Sequence, residues 1–310
     1  MKKLLPLLLL GIVVAFAGCI GQGPAPTAVT CAGTGVTDGI TITDFTFDFN
    51  EIYGGEAVGL TFTAENMGGA SGTLLSAEVF GPSINEAAAA GNLTWGCPAP
   101  CNLTLDINEG LDAPNYDLDI PGGMYTSVWT FEAPTGLGAE AGYDFNIRTK
   151  YNYETNFVGI LTVMSSSYLR TLPEDERKAL IQAGGLSQQC YSGGPIALAA
   201  AAGTHFVDVA PGEDKTIRFK VTNVGSGYPY YPSPLDPTTS MYKVHINPTT
   251  GQVTCSDQTI TLSRGQTGTF SCTFNPTSTV TNKEDITFTI KLDYNYWLDK
   301  STFIKVLRPL

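Results

Sequence analysis

The feature that most constrains the fold is a strictly alternating segment that occurs twice. From Ile286 to Tyr296 every second residue is apolar, and the residues between them are Thr, Lys, Asp and Asn. The segment from Tyr143 to Tyr153 has the same arrangement, with Thr149 as its one polar member on that side. Side chains alternate across a β-strand, so each segment predicts a strand with one face on a core and one in water. Each Tyr-Asn-Tyr is therefore expected to bury its tyrosines and expose its asparagine.

Both segments continue through a few polar residues into a second β-rich stretch, "GILTVM" in the first copy and "FIKVL" in the second. Polar residues between two apolar alternating runs are typical of a turn, so each copy is expected to end in a β-hairpin.

The repetition extends upstream of these strands. "PGGMYTSVWTFEAPT" aligns with "SRGQTGTFSCTFNPT", and "YGGEAVGLTFTAENMGGASG" aligns with "APGEDKTIRFKVTNVGSG". The spacing is 143 residues between Phe131 and Phe274 of the first pair and 157 residues in the second pair, which predicts a 14-residue insertion in the first copy, placed in "LTLDINEGLDAPNYDL". The chain is thus expected to hold two divergent copies of one β-domain, at 33–165 and 190–310.

A helix is predicted between the copies, in "TLPEDERKALIQAGG". Thr171 can cap it, Glu174 completes a capping box, and Gly184 suits its end. Residues 166–189 are therefore expected to form a short helical linker. In both copies, short apolar runs end at Gly, Pro and Asn, which is typical of an antiparallel sandwich.

The pattern "V-x-P-G-E … F-x-V-T-N-V-G", followed by the late Tyr-x-Tyr strand, resembles the immunoglobulin-like modules of archaeal and bacterial surface proteins, including the cell-adhesion-related class. The resemblance implies an all-β chain with two tandem immunoglobulin-like antiparallel β-sandwiches joined by the helical linker. It also implies a location at the cell surface, and it carries no catalytic residues.

The N-terminus has the pattern of an export signal. Lys2 and Lys3 precede an apolar run that ends at Ala17, and Gly18 and Cys19 follow it. "FAGC" resembles a lipobox, and "AGCIG" is similar to archaeal lipoprotein leaders. We expect residues 1–18 to be a signal peptide, Cys19 to be lipidated, and residues 19–32 to form a tether. A plain secretory signal is the alternative.

The other cysteines are even in number, which favours disulfides in an exported chain. They are Cys31, Cys97, Cys101, Cys190, Cys255 and Cys272. The preferred pairing joins Cys255 to Cys272, Cys97 to Cys101, and Cys31 to Cys190. The alternative pairs Cys31 with Cys97 or Cys101 and leaves one thiol over.

Three tyrosines are candidates for partner binding. Tyr228, Tyr230 and Tyr231 lie in the proline-rich segment "GSGYPYYPSPLDPTT". Rigid loops with exposed aromatic side chains make good contact surfaces, because little side-chain entropy is lost on binding. The alternative is a loop that packs on its own domain.

The acidic insertion and two sequons are further candidate sites. Asp106, Asn108 and Asp112 supply oxygen atoms of the kind that Ca²⁺ prefers, although a solvated acidic loop is the simpler interpretation. Asn92 and Asn102 each begin an Asn-Leu-Thr sequon for glycosylation.

Composition argues against several functions. The net charge is −12, and there is no run of Lys or Arg that could neutralise a phosphate backbone, so nucleic acid is not expected as a partner. His205 and His245 do not lie near a nucleophile elbow, so neither an enzyme nor a cofactor is expected, calcium apart.

These features together predict a cell-envelope lipoprotein on the extracellular face of the membrane. Its sandwiches would act as a structural or adhesive interaction module, with the membrane and other envelope proteins or glycans as partners. One alternative is a filament or S-layer subunit assembled by strand exchange through "IALAAAA". Another is an extracellular component that binds glycans or other ligands.

Overall fold

The computed structural model describes residues 38–85, 93–98, 101–183, 185–200, 206–231 and 240–308, with backbone alone at 183 and 187–190. The leader, Cys19 and the tether lie outside the described residues. No helix in the described ranges is long and apolar enough to cross a membrane. Residues 31–310 belong to one compact unit.

The described chain consists mainly of β-strands, as expected for an all-β fold. The strands are β1 (Ile40–Phe47), β2 (Glu51–Tyr53), β3 (Ala57–Asn66), β4 (Gly72–Phe80), β5 (Ile84–Asn85), β6 (Trp95–Gly96), β7 (Thr104–Leu111), β8 (Met124–Glu132), β9 (Ala141–Met164), β10 (Leu186–Tyr191), β11 (Ile196–Ala200), β12 (Phe206–Val207), β13 (Lys215–Asn223), β14 (Tyr228–Tyr230), β15 (Lys243–Ile246), β16 (Val253–Thr254), β17 (Gln258–Thr261), β18 (Thr267–Phe274) and β19 (Lys283–Leu307). The helices are α1 (Ser166–Thr171), α2 (Glu174–Ala183) and a short 3₁₀ helix, Tyr116–Leu118.

Three sheets contain these strands. A first small sheet has the order β1-β3-β8-β6-β5, and a second small sheet has the order β11-β13-β18-β16. Between them in the chain's topology is a ten-stranded central sheet with the order β17-β15-β19-β9-β4-β7, to which β2, β10, β12 and β14 add at the sides. Most pairings are antiparallel; β2 with β19, β12 with β9 and β5 with β6 are parallel.

The two long strands join the halves of the chain. Strands β9 and β19 pair antiparallel along their whole length, from Ala141 opposite Val306 to Met164 opposite Lys283. The first part of β9 pairs with β4 and its later part with β10. Likewise, β19 pairs first with β15 and finally with β2. Each long strand therefore serves both halves, and two tandem sandwiches connected by a linker are not confirmed.

The predicted terminal hairpins are wrong. Neither β9 nor β19 turns at its polar stretch, and both continue as single strands. The reason is visible at Glu154 and Thr155: the Glu154 carboxylate lies 3.6 Å from Lys291 Nζ on the partner strand. Thr155 is fully buried, and its hydroxyl is 2.7 Å from the hydroxyl of Tyr294. These polar residues bind across the ladder instead of facing water in a turn.

The two Tyr-Asn-Tyr segments meet at the middle of this ladder. Tyr151 lies opposite Tyr296, Tyr153 opposite Tyr294, and Asn152 opposite Asn295. The repeat makes Asn295 the equivalent of Asn152, and the antiparallel pairing places these two residues opposite each other. The two copies are therefore related by a pseudo-twofold axis that runs between Asn152 and Asn295. The Asn152 Nδ2 group donates to Asn295 Oδ1 at 3.3 Å.

The tyrosines are buried as predicted, with Tyr151, Tyr153, Tyr294 and Tyr296 all at most 1% exposed. The asparagines differ from each other: Asn152 is exposed, but Asn295 is only 4% exposed, so the expectation that both face water is wrong for Asn295. Strand β14 pairs with β19 at this position and covers Asn295.

Strand β9 contributes to two clusters of aromatic side chains. In the first, the ring centroid of Phe145 lies 5.0 Å from that of Phe47 and 5.1 Å from that of Phe131, both in the first small sheet. In the second, Phe157 packs 5.9 Å from Phe219 of the second small sheet. Aromatic pairs at such distances stabilise a fold by about 0.5–1.5 kcal/mol each beyond their burial. Each small sheet thus forms a sandwich with a different part of the central sheet.

The segment between β9 and β10 contains two helices, not one. Ser165 caps α1, its hydroxyl accepting from the backbone N–H of Tyr168 at 3.1 Å. Thr171 lies at the end of α1, where its hydroxyl donates to the Tyr168 carbonyl at 2.7 Å. The predicted capping role of Thr171 for the following helix is therefore wrong. Strand β10 begins within the range predicted as linker.

Candidate interaction surfaces

The Tyr-Asn-Tyr segments belong to a duplicated hydrogen-bond network around Asn66 at the end of β3. Asn66 Nδ2 donates to the carbonyl oxygens of Ala70 and Leu111 at 2.9 and 2.8 Å, and its Oδ1 accepts from the Gly68 N–H. Tyr153 Oη accepts from the Ala70 N–H at 3.1 Å. Because the network satisfies backbone groups inside the fold, Tyr153 has a structural role.

The second copy has the same network around Asn223 at the end of β13. Asn223 Nδ2 donates to the carbonyls of Gly227 and Gly265 at 2.9 and 3.1 Å. Tyr296 Oη accepts from the Gly227 N–H and donates to Asn223 Oδ1, both at 2.9 Å. Burial raises the pKa of Tyr153 to about 12 and raises the pKa of Tyr296 further above its ordinary value. Neither hydroxyl is available to a ligand.

The tyrosines predicted to form a contact loop are mostly packed. Tyr230 is fully buried, which contradicts its expected exposure, and desolvation raises its pKa. Its ring lies 5.8 Å from that of Trp297. Tyr231 is half-buried and stacks on His245 with ring centroids 4.7 Å apart. Tyr228 alone is exposed, at 41%, and also packs against Trp297. The proline-rich residues 232–239 lie outside the described residues.

The predicted calcium ligands lie along an edge strand. Asp106 and Asn108 are exposed residues of β7, and Asp112 follows the end of this strand. Six residues of strand span about 20 Å, which is too far for one ion to reach both aspartates. In the described part of the chain, no group of three or more His, Cys, Asp or Glu is placed to hold a metal ion. The solvated acidic loop expected here is instead largely strand.

The two networks locate the insertion of the first copy. In the second copy, neighbouring residues serve Asn223: Gly265 accepts from its side chain and Gln266 from its backbone N–H. In the first copy, the corresponding acceptors are Leu111 and Gly123. Residues 112–122 are therefore inserted where the second copy has a direct connection. We call these residues the Tyr116 loop.

The Tyr116 loop is held together by its own backbone. The Gly123 N–H donates to the Asp112 carbonyl at 2.9 Å, and Asn115 and Ile120 exchange two backbone hydrogen bonds at 2.9 and 3.0 Å. The Asn115 side chain accepts from the Leu118 N–H and so begins the 3₁₀ turn. Asp119 has φ 55°, a left-handed conformation that Asp and Asn adopt more readily than most residues.

Apolar side chains project from this loop into solvent. Tyr116, Leu118 and Ile120 are exposed, and Leu118 reaches 67%. Met67 and Met124, beside the loop, are exposed as well. We call these five side chains the apolar surface. Beneath them is a groove of about 260 Å³ whose lining includes Met67, Tyr116, Ile120 and the carboxylates Glu65 and Asp119.

Sequence reasoning missed this surface, although the segment "NYDLDIPG" carries a signal for it. Apolar residues alternate with aspartates between Asn115 and Gly122, which are both turn residues. Such a pattern is typical of a short hairpin with one apolar side. The segment was too acidic in composition to suggest an apolar contact.

Among the described residues, Cys97 is bonded to Cys101 and Cys255 to Cys272, as in the preferred pairing. Cys190 lies on β10, but Cys31 is outside the described residues, so the bond between them stays a prediction. Asn102 is exposed, and its carbonyl accepts from Trp129 Nε1 at 2.9 Å. Asn92 lies outside the described residues, and use of either sequon stays a prediction.

His245 is the histidine within the described residues, and His205 lies outside them. Its Nε2 lies 3.4 Å from Asp257 Oδ1 and its Nδ1 lies 3.2 Å from Thr259 Oγ1. With Tyr231 stacked on its ring, His245 is held in place on the surface of β15. The absence of enzymatic activity stays a prediction.

Comparisons with known proteins give no family. No family model matches this chain, and no curated protein matches it. Among solved structures, it is similar to the Enterococcus faecalis MSCRAMM ACE, described as binding its ligands by the collagen Hug model, with 6% identity over 90% of this chain and 97% of that chain and a TM-score of 0.16. It is also similar to the collagen adhesin CNA from S. aureus, with 9% identity over 90% and 96% of the chains and a TM-score of 0.12.

Proposed function

We propose that this chain is an extracellular, lipid-anchored envelope protein that acts as a structural or adhesive interaction module. The observation that carries this proposal is the ladder between β9 and β19. It joins both halves through one continuous set of backbone hydrogen bonds, so the two halves respond to a load as one body. A rigid body suits a protein that holds partners at a surface.

The leader and the cysteines support the location. Lys2, Lys3 and the apolar run before Cys19 have the pattern of an export signal with a lipidation site. Two disulfides fit an oxidising compartment outside the cytoplasm. The anchor proposed here is a lipid attached to Cys19.

Assembly into filaments by strand exchange has less support. Ile196–Ala200, the described part of the segment "IALAAAA" that was expected to exchange, already pairs with β13 along its whole length. A contact role for Tyr228, Tyr230 and Tyr231 toward glycans is likewise weakened by the burial of Tyr230.

The test compares the native host carrying the wild-type chain, a Cys19→Ser chain, or neither. Membrane fractionation should find the wild-type chain with membranes and the Cys19→Ser chain released. Attachment of cells to each other and to surfaces should fall both on deletion and with Cys19→Ser. Attachment that is unchanged on deletion would contradict the proposed role, and retention of the Cys19→Ser chain would contradict the anchor.

A further inference from the structure

We propose that the apolar surface of the Tyr116 loop docks a polypeptide partner whose apolar side chains are flanked by Lys or Arg. This inference rests on the interaction role proposed above, and it specifies the surface and the chemistry of the partner. Four observations lead to it: the loop is dispensable to the fold, it is rigid, it is apolar at its tip, and its surroundings are acidic.

The fold does not need the loop. In the second copy, Gly265 and Gln266 complete the asparagine network with no residues between them. In the first copy, the residues that flank the loop, Leu111 and Gly123, also lie side by side. A Cβ built on Gly123 would lie 2.9 Å from Leu111 Cα. The same sheet connection is thus made with the loop and without it. Eleven extra residues that the scaffold can omit are residues with another use.

The loop is also organised before any partner binds. Its base is closed between Asp112 and Gly123, its middle by the Asn115–Ile120 pair, and its tip by the Asn115 side chain. The Tyr116 hydroxyl donates to the Met67 carbonyl at 3.2 Å and ties the loop to the adjoining turn. Binding to such a loop orders few additional groups, so little entropy opposes association.

The tip has the character of a docking surface for a protein. Tyr116, Leu118 and Ile120 expose apolar area next to Met67 and Met124, and contiguous exposed apolar area marks interaction sites in soluble domains. The adjoining groove, at about 260 Å³, is below the roughly 300–1,000 Å³ of typical small-molecule sites. A groove of this size fits one or two side chains of a partner.

Charge determines the kind of partner. The chain contains no Lys or Arg between Lys3 and Arg148, although more than half of its acidic residues lie there. The Tyr116 loop carries Asp112, Asp117 and Asp119, and Glu65 lines the groove. None of these four carboxylates forms a salt bridge within the described residues. An apolar tip with unpaired carboxylates around it complements apolar side chains between cationic ones.

The same charge argues against an anionic membrane as the occupant. A lipid surface rich in phosphate would meet these carboxylates with repulsion, whereas insertion loops on membrane-binding proteins use Lys and Arg for attraction. A neutral glycan lacks the cationic groups that the carboxylate rim complements. Both occupants are nevertheless included as arms of the test.

The test measures binding to the full chain in detergent micelles by fluorescence anisotropy. The probe is a labelled ten-residue peptide of alternating Leu and Lys. Two matched peptides replace every Lys with Glu, or every Leu with Ser. The remaining arms are a neutral glycan panel and, after the detergent has been removed, phosphatidylcholine vesicles with and without phosphatidylglycerol.

Four variants locate the site. Leu118→Ser removes the most exposed apolar side chain of the loop. Asp117→Asn with Asp119→Asn removes charge and keeps a residue that tolerates the left-handed conformation at position 119. A loop deletion joins Leu111 directly to Gly123, as in the second copy. Phe303→Ser is the matched control, because Phe303 is 55% exposed but belongs to β19.

The Leu-Lys peptide should bind at low salt, and both matched peptides should bind at least ten-fold more weakly. Leu118→Ser should weaken binding at least ten-fold, and the loop deletion should abolish it while circular dichroism and thermal unfolding show a folded chain. The Asn double variant should weaken binding about three-fold or more and flatten its salt dependence. Phe303→Ser should bind like wild type.

Equal affinity for the Leu-Glu peptide, equal losses in Phe303→Ser and Leu118→Ser, or preferential binding to vesicles or glycans would overturn the assignment. If the loop deletion does not fold, Leu118→Ser and the Asn double variant decide alone. If the loop variants lose peptide binding but cells that carry them attach normally, the proposed envelope role stands and this surface is refuted as its basis. If deletion of the whole chain lowers cell attachment but the wild-type chain does not bind the peptide, the envelope role again stands and this surface is again refuted.

Discussion

The sharpest test of the duplicated architecture is a pair of Tyr→Phe substitutions at equivalent positions of the ladder. Tyr294 Oη lies 2.7 Å from Thr155 Oγ1, and both groups are buried. The equivalent of Thr155 in the second copy is Leu298, which cannot form this hydrogen bond. Tyr151 Oη accordingly has no hydrogen-bond partner among the described residues. The two copies thus bury the same hydroxyl, once satisfied and once not.

The substitutions should therefore change stability in opposite directions. Tyr294→Phe breaks a buried hydrogen bond and leaves the Thr155 hydroxyl unpaired, so the free energy of unfolding should fall by about 1–3 kcal/mol. Tyr151→Phe removes a buried hydroxyl that has no partner and keeps the ring, so the free energy of unfolding should rise by about 1 kcal/mol. The difference of roughly 3 kcal/mol corresponds to about 5 °C in Tm for a unit of this size.

The assay is unfolding in guanidinium chloride and by heat, monitored by circular dichroism, on the full chain with its disulfides intact. Tyr151→Phe should unfold at a higher temperature than wild type and Tyr294→Phe at a lower one. Similar destabilisation by both variants would refute the argument, because it would mean that the Tyr151 hydroxyl also contributes a hydrogen bond.

Three further predictions concern the same scaffold. Asn66→Ala and Asn223→Ala should each lower the free energy of unfolding by about 2–4 kcal/mol, because two buried carbonyls lose their donor in each case, and chemical denaturation checks this. Tyr153 has a pKa of about 12 in the folded chain and about 10 in the unfolded chain. The stability that this shift contributes is therefore complete below pH 10 and is lost as the pH rises through 12. Tyr153→Phe should reduce that loss, measured as the free energy of unfolding between about pH 9 and pH 12. Replacing Cys255 and Cys272 with Ser should cost about 3 kcal/mol and replacing Cys97 and Cys101 about 2 kcal/mol, since the first pair closes a loop with a separation of 17 and the second a separation of 4; a larger cost for the second pair in thermal unfolding would contradict this order.

The sequence predicted the faces of the strands better than their partners. Alternation places Tyr151 and Tyr296 on a buried face, because side-chain direction depends only on position along the strand. It does not state which strand lies beside it. The register between β9 and β19 depends on contacts such as Thr155 with Tyr294, which join residues far apart in the sequence. A hairpin within each copy was the simplest pairing. In the structure, β9 of the first copy pairs instead with β19 of the second copy.

The candidate site was less predictable for a related reason. Tyr230 stands in a segment with the composition of an exposed loop, yet Trp297 of β19 covers it, and this contact requires the three-dimensional pairing of β14 with β19. Conversely, the repeat comparison predicted a 14-residue insertion in the first copy and placed it a few residues too early, and eleven of the extra residues form the Tyr116 loop. Only the matching acceptors of Asn66 and Asn223 place it between Leu111 and Gly123.

The ladder between β9 and β19 also determines when this chain can complete its fold. Ile304 and Val306, at the end of β19, are fully buried, and β2 near the start pairs with residues 305–307. The first half therefore cannot complete its core until residues 304–307 are available. A chain that emerges from a translocation channel N-terminus first would therefore complete the core of its first half only after residues 304–307 had crossed the membrane.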